Sequence, residues 1–271
     1  MTYTEEQLKR LHEIELDILQ EVIRVCEEND ITYFTVAGTT LGAVRHDGFI
    51  PWDDDVDIGM LRSDYDRFVS IAPEKLRKGY TICHFLYEPE TPTYYAKVKR
   101  DGTLFVEKYT KNIKMHQGVF IDIMPFDKVP EQIKNKDTYY RRVQLWNHLY
   151  IAKTVWVTTF NRKKYKVLLD MIRALLHIAL LPIPKKFLYE KTDQSLRMYE
   201  HSESELVCSR GKRITECPIN KLVPARTHKF ENIEVQIPAD YDYVLKHQYG
   251  DYMIFPPEEK RHSHAPITLE I

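Results

Sequence analysis

The sequence predicts an α+β protein with a mixed β-sheet core, flanking helices and a largely helical insertion. Three observations carry this. Residues 52–60 and 119–124 are short apolar or alternating stretches with acids set into them, the pattern of buried and half-buried strands. Residues 4–28 place Leu8, Leu11, Ile14, Ile18, Val22 and Cys26 on one stripe at helical spacing. Residues 131–205 show little strand alternation and read as mostly helical.

The 4–28 helix opens on Thr4 and Gln7, a capping-box pair, and is expected to pack on the core with no chemistry of its own. Residues 31–36 are a short apolar run, followed by Ala37-Gly38-Thr39-Thr40 and a helix-forming stretch at 41–45. A strand, a small-residue turn and a helix start aim backbone N–H groups at an anion, and Thr39 and Thr40 add hydroxyls. The plainer reading is a helix N-cap. In 52–60, Trp52, Val56, Ile58 and Met60 alternate with acids, so a strand from about residue 52 projects Asp53, Asp55 and Asp57 to one face. Like charges held so close repel, and a divalent cation is the usual reason to gather them. A solvated turn would not carry these apolar neighbours. A calcium loop fits Asp53, Asp55 and Asp57 but needs Gly and Glu where Ile58 and Asp64 stand.

Ser63 is expected to cap a helix over 64–71, with Asp66 in its first turn. Residues 80–86, 94–99 and 103–107 read as strands. Lys97 and Lys99 share a strand face, either as solvated charges or as neutralisers of phosphate. The 119–124 strand holds one acid, Asp122, between Ile121 and Ile123, and Pro125 is expected to end it. A lone carboxylate there is costly unless paired or metal-bound, which makes Asp122 a third carboxylate for Asp55 and Asp57. Residues 139–160 are rich in aromatics. Residues 167–181 are strongly apolar, with Asp170, Arg173 and His177 on one stripe. Lys163, Lys164 and Lys166 precede that stretch, and Lys185 and Lys186 follow it. A helix lying in a membrane interface and a buried core helix both fit. Residues 229–237 are strand-like, 240–249 form a short helix, and 249–261 are a proline-marked loop. His262 and His264 lack the further ligands a zinc site needs.

The chain of 271 residues carries a formal net charge of −1, so no basic field points to nucleic acid. Its 4 cysteines are scattered, as reduced buried thiols of a cytosolic protein would be. The polar N-terminus lacks a signal-peptide pattern, and no apolar run reaches the roughly 18 residues of a spanning helix. A cytoplasmic protein is expected, with contact to the inner membrane face if the 167–181 helix is interfacial. One domain over 1–271 is expected: a catalytic core at about 1–130, a helical region at about 131–205 and a closing segment at about 206–271.

The run Gly38-Thr39-Thr40-Leu41-Gly42-Ala43-Val44-Arg45-His46, then Gly48-Phe49-Ile50-Pro51-Trp52-Asp53-Asp54-Asp55-Val56-Asp57, resembles the signature of the LicD family. These are bacterial phosphocholine transferases, similar to the fukutin-related proteins, with a nucleotidyltransferase fold. Further matches lie at Gly118-Val119-Phe120-Ile121-Asp122-Ile123, at Tyr249-Gly250-Asp251-Tyr252-Met253 and at Pro256-Pro257-Glu258-Glu259-Lys260-Arg261. The resemblance implies Mg²⁺ or Mn²⁺ on Asp55, Asp57 and Asp122, which are also the catalytic acids. It implies a CDP-activated donor, CDP-choline, held by Gly38, Thr39, Thr40, Arg45, Lys97 and Lys99. The acceptor would be a sugar hydroxyl of a lipid-linked or oligosaccharide glycan of teichoic acid or lipopolysaccharide type, with CMP released and the tail closing over the site. The roles of Asp53 and Asp54 stay open, one of them as a residue behind the metal ligands. The rivals are transfer of ribitol or glycerol phosphate, transfer of a nucleotide to another acceptor, and a binding module without catalysis. Intact acids argue against the last.

Overall fold

The computed structural model describes residues 3–155, 166–261 and 263–271. Lys163, Lys164 and His262 lie outside the described residues, as do positions 156–160 of the aromatic-rich stretch. The elements run α1 (Glu5–Glu28), β1 (Phe34–Thr35), α2 (Ala37–His46), β2 (Asp57–Leu61), α3 (Arg62–Lys75), β3 (Tyr80–Cys83), β4 (Ala96–Arg100), β5 (Leu104–Val106) and β6 (Phe120–Lys128). Next come α4 (Ile133–Thr154), α5 (Lys166–Leu180), α6 (Lys185–Leu196), β7 (Leu206–Ser209), β8 (Cys217–Pro218) and α7 (Ile219–Leu222). Hairpin β9 (Arg226–Phe230) and β10 (Ile233–Ile237), helix α8 (Tyr241–Tyr249) and β11 (Thr268–Glu270) complete the chain.

The fold is α+β. Its main sheet runs β1-β2-β6-β4-β3, with β7 on β6 and β8 on β7. Only β2 and β6 pair in parallel, so the sheet is mixed. The Thr4–Gln7 capping box forms as expected. The buried stripe of α1 packs with Ile58, Val98, Ile121 and Ile123 of the sheet and Phe68 of α3. A second cluster joins Tyr139, Val143 and Tyr150 of α4 to Leu188 and Leu196 of α6. The four cysteines are unpaired and buried.

Four expectations need correction. The strand predicted from residue 52 starts at Asp57, because only from there does the chain pair with β6. Ser63 does not cap α3, which begins at Arg62 straight out of β2. Arg62 is instead drawn in by the buried Asp127, at 2.6 and 2.7 Å. Pro125 does not end β6. Asp122 N–H donates to Val56 on the β2 side, so alternation points the place of the missing Pro125 N–H to the other edge. There β6 changes partner, from β4 at Ile123 to β7 at Phe126, and no ladder bond is lost. Finally, α1 does more than pack on the core, since its buried Glu15 feels the charges of Asp53, Asp54, Asp55 and Asp57.

Helix α5 is inverted relative to a core helix. Val167, Leu168, Met171, Ile172, Leu175 and Ile178 face solvent, Leu176 and Leu180 pack on the second cluster, and Arg173 Nε and His177 Nδ1 turn inward to the carbonyls of Val155 and Ala152. Among the described residues no single helix is long and apolar enough to cross a membrane.

Candidate active site

The parallel register sets Asp57 beside Asp122, and the antiparallel register sets Lys97 beside Asp122. Adjacent strands β2, β6 and β4 thus carry an acid, an acid and a lysine in one row across the sheet. Asp55 precedes that row by two residues. The N-terminus of α2 abuts it, since Thr39 Oγ1 accepts the Asp57 N–H at 2.8 Å. Asp53 Oδ2 lies so close to Gly38 that a Cβ there would sit 2.5 Å from it. Glycine is what lets a carboxylate reach the helix start. A cavity of about 620 Å³ opens here, lined by Gly38, Arg45, Asp53, Asp55 and Asp57 on one side and by Tyr249, Asp251 and Phe255 of the C-terminal segment on the other. Asp54 serves a different end. It accepts the Tyr3 hydroxyl and the His264 N–H, each at 2.7 Å, and so ties both ends of the chain to the acidic stretch.

These carboxylates are poorly compensated. Burial, then Asp55 and Asp54, push the Asp53 carboxyl up to about 7. Burial and Asp122 raise Asp55, and burial with Asp55 and Asp122 raises Asp57 well above the carboxylate range. Burial would lower the Lys97 ammonium, but Asp122 reverses this and holds it above its usual value. Lys97 Nζ lies 2.6 Å from Asp122 Oδ1 and over the Phe120 ring at 3.4 Å. The pair is close but poorly directed, and Asp122 Oδ1 receives no hydrogen bond of good geometry. Among the described residues no group of three His, Cys, Asp or Glu side chains is drawn together as a ready-made metal cage. Buried oxygen donors with unspent charge nonetheless suit magnesium, which commonly takes one or two carboxylates and completes its shell with water and phosphate.

The other residues expected at the site divide. Gly38 and Arg45 line the cavity. Arg45 donates to the Tyr252 carbonyl at 2.8 Å and lies over Phe255. Thr40 is fully buried, 3.0 Å from the Thr35 hydroxyl, and bridges strand and helix. Lys99 is buried with its ammonium on the His116 carbonyl.

Two charged residues were missed. Glu15 of α1 is buried, has an oxygen without a partner, and is raised well above its usual value by burial and then by Asp55, Asp54, Asp53 and Asp57. Its signal was legible, because position 15 falls on the apolar stripe between Leu11 and Ile18. Arg210 follows β7 into the gap where β6 changes partner, and its guanidinium lies 5.5 Å from the Tyr95 ring. Burial opposes its charge, but Tyr95, Asp57, Tyr94 and Asp122 hold it above its usual value. Arg210 lines a second cavity of about 310 Å³ with Tyr94, Tyr95, Tyr109, Asn147 and Arg173. The Tyr94 hydroxyl, Asn147 Oδ1 and Arg210 Nε are all without partners.

A mixed sheet that sets a helix N-terminus against a row of buried carboxylates is a nucleotidyltransferase-type α+β fold. Residues 30–159 match the family described as LicD/FKTN/FKRP, nucleotidyltransferase domain, and the chain carries a LicD-family domain. It is similar to the lipopolysaccharide cholinephosphotransferase LicD of Haemophilus influenzae, 27% identical over 97% of this chain and 96% of that protein. It is also similar to the mouse ribitol 5-phosphate transferase FKRP, 28% identical over 44% of this chain and 21% of that protein. An uncharacterised Rickettsia prowazekii protein is 34% identical over 42% of this chain and 39% of its own length. The relatives with a named activity are transferases of an alcohol phosphate, and this chain is an enzyme of that transferase class.

Proposed function

We propose that this chain, working as a single domain, transfers phosphocholine from CDP-choline to a sugar hydroxyl of a cell-surface glycan precursor and releases CMP. The observation that carries the reading is the Asp57–Asp122–Lys97 row, which the α2 N-terminus meets at Asp57. In this reading Gly38 and the helix N-terminus seat the diphosphate, and Arg45 and Lys97 offset its charge. Asp55, Asp57 and Asp122 would hold a magnesium or manganese ion, which when bound neutralises phosphate oxygens and stabilises charge on the leaving group. The sugar oxygen attacks the phosphorus that bears choline. The bond from that phosphorus to the oxygen of CMP breaks, and the hydroxyl proton passes to Asp122. Arg210 is placed to contact the second substrate from the other side of the carboxylates.

Choline carries a permanent positive charge with no N–H donor, so it is recognised by aromatic faces. The rings of the larger cavity already take cations. Arg45 lies 4.8 Å over Phe255 and Arg261 lies 4.9 Å over Trp52. The similarity to a ribitol 5-phosphate transferase favours CDP-ribitol as the second reading. A panel of CDP-choline, CDP-ribitol and CDP-glycerol, followed by magnesium-dependent CMP release and thermal stabilisation, separates them. CDP-choline is expected to give the largest response. Preference for another CDP-alcohol would replace the donor, and a nucleotide found on the acceptor would replace the reaction.

A further inference from the structure

Helix α5 displays an apolar face that the described residues leave bare. Val167 is 74% exposed and Leu175 is 65% exposed, and Leu168, Met171, Ile172 and Ile178 lie between or beside them. Leu181, just past the helix, extends the face. Arg173 and His177 of the same helix turn inward and bond carbonyls at the end of α4. A surface helix ordinarily has these two faces reversed. Large exposed apolar patches mark contact surfaces.

The flanks of the helix say what kind of surface it meets. On one side His177 and Val155 border a cleft of about 540 Å³ lined by Lys108, Lys114, Lys153 and Lys185. Next to it, sharing Tyr109 and Val155, Arg173 opens into the cavity with Arg210 and Lys212. Among the described residues Glu90 is the one acid that lines either space. An apolar strip bordered by basic clefts complements acyl chains beneath anionic headgroups. A two-fold contact with a second copy would set basic clefts against each other, which costs binding. The helix has 15 residues, so its length is about 22 Å, short of the roughly 30 Å hydrocarbon core. The described helix is long enough to lie in an interface, and among the described residues no single helix is long and apolar enough to cross a membrane.

We propose that α5 is a membrane-docking element that rests in the headgroup boundary of an anionic bilayer. Docked in this way, the chain presents the Arg210 cavity at the lipid surface, where a lipid-borne substrate would enter. The docking itself holds whatever the donor is.

The test is cosedimentation of the full chain with vesicles of phosphatidylglycerol and phosphatidylcholine, and with phosphatidylcholine alone. The wild type is expected to bind the anionic vesicles at least about tenfold better than the neutral ones. Leu168→Glu with Leu175→Glu should lower binding at least about tenfold with little change in melting temperature, because both side chains are exposed. Leu168→Ser with Leu175→Ser serves as the milder pair should the first misfold. Absence of wild-type binding at low salt, or binding that both double variants retain, overturns the proposal. So does a wild-type dimer that the substitutions split without any vesicle binding, which would assign the face to a second copy.

Discussion

Asp53→Asn removes one negative charge from the acidic cavity with almost no change of shape, and it should make the cation-free protein more stable. The Asp53 carboxyl titrates at 3.8 when unperturbed and at about 7 in the fold. The folded chain therefore binds this proton more tightly than the unfolded chain does. Its contribution to stability is complete below about pH 4 and is lost as pH rises through about 7. At about 1.4 kcal/mol per tenfold in proton affinity, this gap amounts to ~4 kcal/mol as an upper limit. The carboxyl lines an open cavity, so solvent screening reduces the figure to about 1–3 kcal/mol. At about 2–4 °C per kcal/mol for a chain of this size, the variant should melt roughly 2–12 °C above wild type near pH 8 in EDTA. The difference should vanish near pH 4. Magnesium should narrow the difference at pH 8, because Asp55, Asp57 and Asp122 can hold the cation in both proteins but only in the wild type does its charge also relieve Asp53. Differential scanning fluorimetry across pH, with EDTA and with magnesium, reads all three. The reasoning is refuted if the variant melts below wild type at pH 8 in EDTA, or if magnesium shifts both proteins equally.

Asp127→Ala should cost about 3–5 kcal/mol in urea unfolding, because it leaves the buried Arg62 without its two-pronged partner. Arg62→Met with Asp127→Leu should recover most of that loss, and failure to recover would mean the site needs the charges themselves. Gly38→Ala should cut turnover by about tenfold or more while the chain still folds, since its methyl group collides with Asp53 Oδ2. Unchanged kcat/KM would show that Asp53 can move aside freely. Arg210→Lys should raise KM for one substrate more than it lowers kcat, through loss of the planar donor set at the edge of the second cavity. Equal kinetics in the two proteins would make Arg210 a structural cation alone.

The carboxylate row was legible because its acids interrupt apolar alternation, and Asp122 stood alone between two isoleucines. Such residues are too costly to bury without a purpose, so pattern alone singles them out. Glu15 gives the same signal on the α1 stripe, weakened because Leu11, Ile14 and Ile18 already complete an apolar face around it. Arg210 gave none. Its place depends on β7 pairing with the far half of β6, more than eighty positions away, which no local pattern encodes. The same switch of partners hides why Pro125 fits inside a strand. Helix α5 was legible as amphipathic but not as inverted, since periodicity shows two faces without saying which one turns inward. The carbonyls at the end of α4, which receive Arg173 and His177, decide that.

The central claim is that Asp57 and Asp122, brought side by side by the β2–β6 register, carry the transfer reaction. Magnesium-dependent CMP release from CDP-choline by Asp57→Asn tests it most directly. The account predicts a fall of about a hundredfold or more in a protein that melts no lower than wild type. Wild-type turnover in that variant would contradict it.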